Sequence, residues 1–157
     1  MNKAQMAFKA VDGICYPTQN MMKFPDVVSK RDISYGDNPK NKLDLYYRKD
    51  IINDGKKHPV IVYYHGGAFL AGDKKYRVSI CEYYAKEGYF VFCPNYRMPP
   101  EVDYKGLMRD CVDSLNFVPS LAEKYNIDLE NSYAYGDTTG DFTMFELVGH
   151  PYAINPT

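Results

Sequence analysis

The sequence predicts an α/β protein of three layers, α/β/α, with a mostly parallel sheet and an N-terminal antiparallel hairpin. Three observations carry this expectation. Strand-like apolar runs occur at residues 59–64, 89–93 and 131–135, helix-spaced segments alternate with them, and a period-two segment flanks a turn near the start. Strands alternating with helices imply a parallel sheet joined by right-handed crossovers.

The first 31 residues mix Met, Lys, Pro and Asn without clear periodicity and read as an irregular lead. Residues 32–157 read as one domain, in a chain long enough to bury roughly 70% of the surface its unfolded form exposes. From Asp32, DISYG and NKLDLYYR alternate around GDNPK, the pattern of a hairpin in which Leu43, Leu45 and Tyr47 share one face. Residues 50–58 are a polar connector. The run 59–64 is apolar on both faces, as in a central strand covered by helices on both sides. Val78, Cys81, Tyr84 and Ala85 recur at helical spacing over 76–87, and Gly88 suits the left-handed position that ends a helix. A second buried strand follows at 89–93. Leu107, Met108, Cys111, Val112, Leu115, Val118, Ala122 and Tyr125 define an amphipathic helix over 104–125, kinked or restarted at Pro119. A third short strand ends at Gly136, and 138–148 read as the helix after it.

Composition narrows the function classes. Lys and Arg number 19 against 20 Asp and Glu, with no basic block interleaved with aromatics, so nucleic acid is not an expected partner. A hydrophobic content of 45% excludes a disordered chain. The longest apolar runs fall short of the ~20 residues of a membrane helix, so no membrane span is expected. The N-terminus lacks the apolar stretch of roughly 7–15 residues that a secretory signal needs, which makes the cytoplasm the expected location. Cys15, Cys81, Cys93 and Cys111 show no C-x-x-C spacing and no histidines at ligand intervals. They read as free thiols, with no metal site.

The chemistry concentrates where strands end. His65-Gly66-Gly67-Ala68-Phe69 follows the run 59–64 directly, and adjacent glycines let backbone N–H groups turn toward an anion. Such a loop suits the oxyanion formed when an ester carbonyl is attacked, although a Gly-Gly pair also suits a plain turn. Asn95-Tyr96-Arg97-Met98-Pro99-Pro100-Glu101 follows the second strand, and Tyr135-Gly136-Asp137-Thr138-Thr139-Gly140-Asp141 ends the third.

In order and spacing over residues 33–148, these three motifs resemble the N-terminal half of the α/β-hydrolase fold, and within it the esterases and lipases similar to hormone-sensitive lipase. The first is similar to that family's HGGG-type loop, the second to its Y-R-L-A-P-E segment, and the third to its G-D-S-A-G-G elbow. The resemblance implies a partial α/β-hydrolase fold over 32–157, hydrolysis of a small-molecule carboxylic ester by acyl transfer, and no cofactor. It makes Gly66, Gly67, Ala68 and Thr139 the implied oxyanion donors. His65, Gly136, Asp137 and Gly140 become loop and elbow supports, and Thr138 occupies the nucleophile position where the family has Ser. A β-branched threonine is poorly suited to the positive φ such a tip demands. Asp137 and Asp141 read as helix-start carboxylates, Asp141 replacing a family glycine. Tyr96, Arg97 and Glu101 read as a brace behind the site.

In this family the acid and the base follow the nucleophile, at the ends of later strands. After Thr138 these 157 residues offer one histidine, His150, expected near the end of the helix 138–148 and on the order of 15 Å from its first turn. The expected function is therefore a carboxylic-ester hydrolase domain, truncated and weakly active or inactive as this chain. The alternative is a non-catalytic interaction or binding protein of the same fold. There, a sheet ending after its third parallel strand would offer its edge to a second copy or a complementing chain.

Overall fold

The computed structural model describes residues 20–67, 70–136 and 149–153, together with residues 3, 6, 7, 10, 11, 14 and 17. Within them run β1 (Val27–Ser34), β2 (Lys42–Arg48), β3 (Val60–Val62), α1 (Val78–Lys86), β4 (Phe90–Pro94), α2 (Tyr104–Phe117), α3 (Ala122–Tyr125), β5 (Tyr133–Gly136) and β6 (His150–Ala153). One sheet has the order β1-β2-β4-β3. In it β2 is antiparallel to both β1 and β4, and β3 is parallel to β4. A second ladder pairs β5 with β6 in parallel. The chain leading into β5 runs beside β3, since His58 bridges Ile127 and the Val60 N–H donates to Ser132 Oγ at 3.3 Å.

Strict alternation along β2 and β4 makes the three layers. Leu43, Leu45 and Tyr47 join Phe90 and Phe92 on one face, packed with Val118, Tyr125 and Ile127 from the α2–α3 side. Tyr46, Val91 and Cys93 face the other way, against Val78, Cys81 and Ala85 of α1. A pleated strand sends successive side chains to opposite faces, so two different cores are built from one apolar run.

The helices begin and end where local chemistry dictates. A 3-10 turn, Lys74–Arg77, leads into α1, and past its end Gly88 has φ +98° and donates to the Ala85 carbonyl. Asp103 caps α2 by accepting the Gly106 N–H at 2.8 Å. Pro119 lies in the 3-10 turn Val118–Leu121, so the long periodic segment restarts as α3. Asn126, in the left-handed region at φ +53°, closes α3.

Four expectations change. β1 starts at Val27, inside the segment read as irregular lead, because a bulge between Lys30 and Ile33 with Asp32 at φ +57° breaks its alternation. β3 covers only Val60–Val62 and is half-buried beyond Val60, so β4, buried throughout, is the more enclosed strand. His150 does not end a helix: it opens β6, opposite Tyr133. The strand expected to end the sheet, β5, is instead paired along its length with β6, in a ladder separate from β1-β2-β4-β3. Cys81 and Cys93 are buried free thiols and Cys111 is a half-buried one. The expected helix 138–148 and Cys15 lie outside the described residues.

Candidate active site

The site grows from the C-terminal end of β3. The Tyr63 N–H donates to the Phe92 carbonyl at 2.7 Å, carrying the ladder one residue past the strand. The Tyr64 hydroxyl donates to the Cys111 carbonyl at 2.9 Å and lies 2.8 Å from Ser114 Oγ, tying the strand end to α2. His65 is 2% exposed, and its ring stacks on Tyr96 with centroids 4.5 Å apart and planes 11° apart. The Tyr96 hydroxyl donates to the His65 carbonyl at 2.6 Å. Burial pushes the Tyr96 phenol up to about 12, so it keeps its donating proton at neutral pH.

The loop after His65 closes on itself. Gly67 has φ +144°, and its carbonyl accepts from the Leu70 and Ala71 N–H groups at 3.0 and 3.2 Å. A Cβ on Gly67 would sit 1.8 Å from the Ala71 carbonyl oxygen. Gly72 has φ +120°, and a Cβ there would sit 2.4 Å from His65 Nδ1 and 2.5 Å from the Gly66 oxygen. At Gly66 a Cβ would meet nothing within 4 Å. The tight return therefore needs glycine at 67 and 72, and not at 66.

The second motif forms the opposite wall. Arg97 donates to Asp110 of α2 through Nε (2.8 Å), Nη2 (2.6 Å) and its backbone N–H (2.9 Å). Burial alone would raise the Asp110 pKa, but the Arg97 bonds override it and hold the carboxyl below the usual carboxylate range. Glu101 pairs with Lys40. Between the walls lies a cleft of about 650 Å³, bounded by His65, Leu70, Tyr76, Tyr96, Met98 and Pro100 among others.

His65, Gly66 and Gly67 thus stand at the end of β3, with Tyr96 stacked on His65 and Arg97 tied to Asp110 of α2, and Gly136 ends β5. Ala68, Asp137, Thr138, Thr139, Gly140 and Asp141 lie outside the described residues. Sequence reasoning missed Gly72, Asp110 and Ser114. The last two are the most buried residues of α2 together with Leu107, on a face that apolar counting passes over. Their signal is the spacing 107, 110, 114, readable only once polar side chains are admitted to a core-facing stripe. Among the described residues no group of three or more His, Cys, Asp or Glu could hold a metal ion. No described helix is long and apolar enough to cross a membrane.

A strand-end His-Gly-Gly turn beside a cleft, on a mixed sheet covered by helices, is the arrangement of the α/β-hydrolase fold. Residues 43–146 match the BD-FAE family model, and the chain belongs to that family. It is 32% identical over 111 residues to the isoprenylcysteine alpha-carbonyl methylesterase of Arabidopsis thaliana, covering 71% of this chain and 25% of that one. Esterase B from Lactobacillus rhamnosis, solved with an inhibitor, superposes with a TM-score of 0.74 at 25% identity, covering 99% of this chain and 55% of that one. A bacterial heroin esterase superposes with a TM-score of 0.73 at 20% identity over 99% of this chain and 52% of its own, a likeness of fold. The chain thus spans about a quarter of the plant methylesterases it matches and about half of these esterase structures.

Proposed function

We propose that this chain carries the oxyanion-stabilising part of a carboxylic-ester hydrolase site that acts on a small-molecule ester by acyl transfer. The amides of Gly66, Gly67, Ala68 and Thr139 hold the oxyanion, and Thr138 stands at the nucleophile position. Aimed backbone donors in a partly enclosed cleft act on charge that develops in the transition state, which makes them the main electrostatic contribution to such a reaction. The observation that carries this reading is the Gly67 turn at the end of β3, closed against the Ala71 carbonyl so tightly that no side chain fits.

On their own, the 157 residues turn over little or no ester. A β-branched threonine is a poor tip for the elbow. His150 opposes Tyr133, at the start of β5 and not at its C-terminal end. At about 3.3 Å per residue along parallel strands, His150 stands on the order of 10 Å from Gly136, the end of β5. The test is hydrolysis of a short-chain aryl ester by the chain and by its Thr138→Ala variant. Equal, background-level rates are expected, and a clear rate abolished by the substitution would overturn the proposal of weak or absent turnover.

A further inference from the structure

Beyond the loop lies a cluster of charges that the site has not used. Asp44 on β2 is 1% exposed, on the α1 face of the sheet, and Lys74, two residues past Gly72, is 7% exposed. Lys74 Nζ bonds Asp44 Oδ1 at 2.5 Å and Asp32 Oδ1 at 2.7 Å. The other Asp44 oxygen accepts from Arg31 at 2.8 Å, and the Asp32 N–H donates to Oδ1 at 3.0 Å. The Lys74 backbone N–H donates to Asn95 Oδ1 at 2.7 Å, while the Asn95 N–H donates to the Lys42 carbonyl at 2.8 Å. One residue thereby ties the foot of the glycine loop to the β1 bulge, to β2 and to the segment after β4.

Burying such charges carries a desolvation cost that apolar side chains of similar size would avoid, so the cluster is weak evidence for stability as such. What it fixes is geometry. The β1 bulge turns Asp32 into reach of the ammonium at a left-handed φ, so that β1 and β2 converge on one nitrogen while the Lys74 backbone N–H reaches the segment after β4. We propose that Lys74 is a positioning residue for the loop 66–72, holding its C-terminal foot so that the Gly67 turn keeps its closed shape. This rests on the ester-hydrolase reading only for the purpose of the loop, not for the anchoring itself. Burial would lower the Lys74 pKa, but its bonds to Asp32 and Asp44 raise it, so the anchor stays charged at neutral pH.

The test is amide hydrogen exchange on the whole chain, comparing the Leu70 and Ala71 amides, which bond to the Gly67 carbonyl, with the β4 amides of Phe90 to Phe92. Lys74→Met is expected to speed exchange in the loop about tenfold or more relative to β4, the size of a lost charge-assisted bond. Lys74→Arg, which can still reach both carboxylates, is expected to restore most of the protection. If Lys74→Met does not fold, Asp32→Asn serves, because it removes the exposed partner alone and Asn tolerates the left-handed φ as well as Asp does. It is expected to speed the loop severalfold and leave β4 unchanged. Equal acceleration of loop and β4, or none in the loop, would overturn the proposal. Neither readout needs ester turnover, so loss of the hydrolase reading and loss of the anchor are separate outcomes.

Discussion

A methyl group on residue 67 would enter the Ala71 carbonyl oxygen, whereas one on residue 66 would meet open space. Gly67→Ala is therefore expected to cost about 1–3 kcal/mol from backbone strain alone, with the clash added. Gly66→Ala should stay within about 0.5 kcal/mol, and urea unfolding midpoints compare the two. The glycine pair was legible as a special turn, but not which of its members the turn requires, because that depends on where residue 71 returns. Arg97 and Asp110 give a second test. Arg97→Gln leaves a carboxyl that is 1% exposed short of two of its donors, expected to cost about 2 kcal/mol near neutral pH. Because the folded-state pKa of Asp110 is lowered, its stabilisation is present above the ordinary carboxylate pKa of about 4 and is lost as pH falls through the folded value. The gap between wild type and variant should accordingly narrow on acidification below about pH 4.

Whole elements were readable in proportion to how cleanly their periodicity survived. Along β2, Leu43, Leu45 and Tyr47 alternate with Asp44 and Tyr46, and the structure assigns them to the two faces as the pattern implies. Phe92 lies on the same core face as that first set, and Phe92→Ala is expected to lower stability by about 3–5 kcal/mol in denaturant titration. The hairpin of β1 and β2 was legible from Asp32 onward, but the first part of β1 was not, because its bulge at Arg31 and Asp32 interrupts the alternation between Val28 and Ile33. β6 was hidden for another reason: His-Pro-Tyr-Ala is four residues long, too short for a period and with a proline inside, and its pairing with β5 is a long-range fact. The site brace followed the same rule. Arg97 was legible as a brace, but its partner Asp110 sat inside a helix read by its apolar residues alone.

For the molecule as a whole, order and spacing of three strand-end motifs were enough to place the chain among α/β-hydrolases of the esterase kind, and the family match over residues 43–146 agrees. The division of labour between loop and elbow is a proposal built on that fold, since it needs amides from two strand ends to meet at one point. The most direct measurement is titration of the isotopically labelled chain with methylphosphonate, following the amide resonances of Gly67 and Thr139. Both are expected to shift together along one binding curve. A Gly67 amide that stays still while Thr139 moves, or two curves of unrelated midpoint, would contradict a shared oxyanion site.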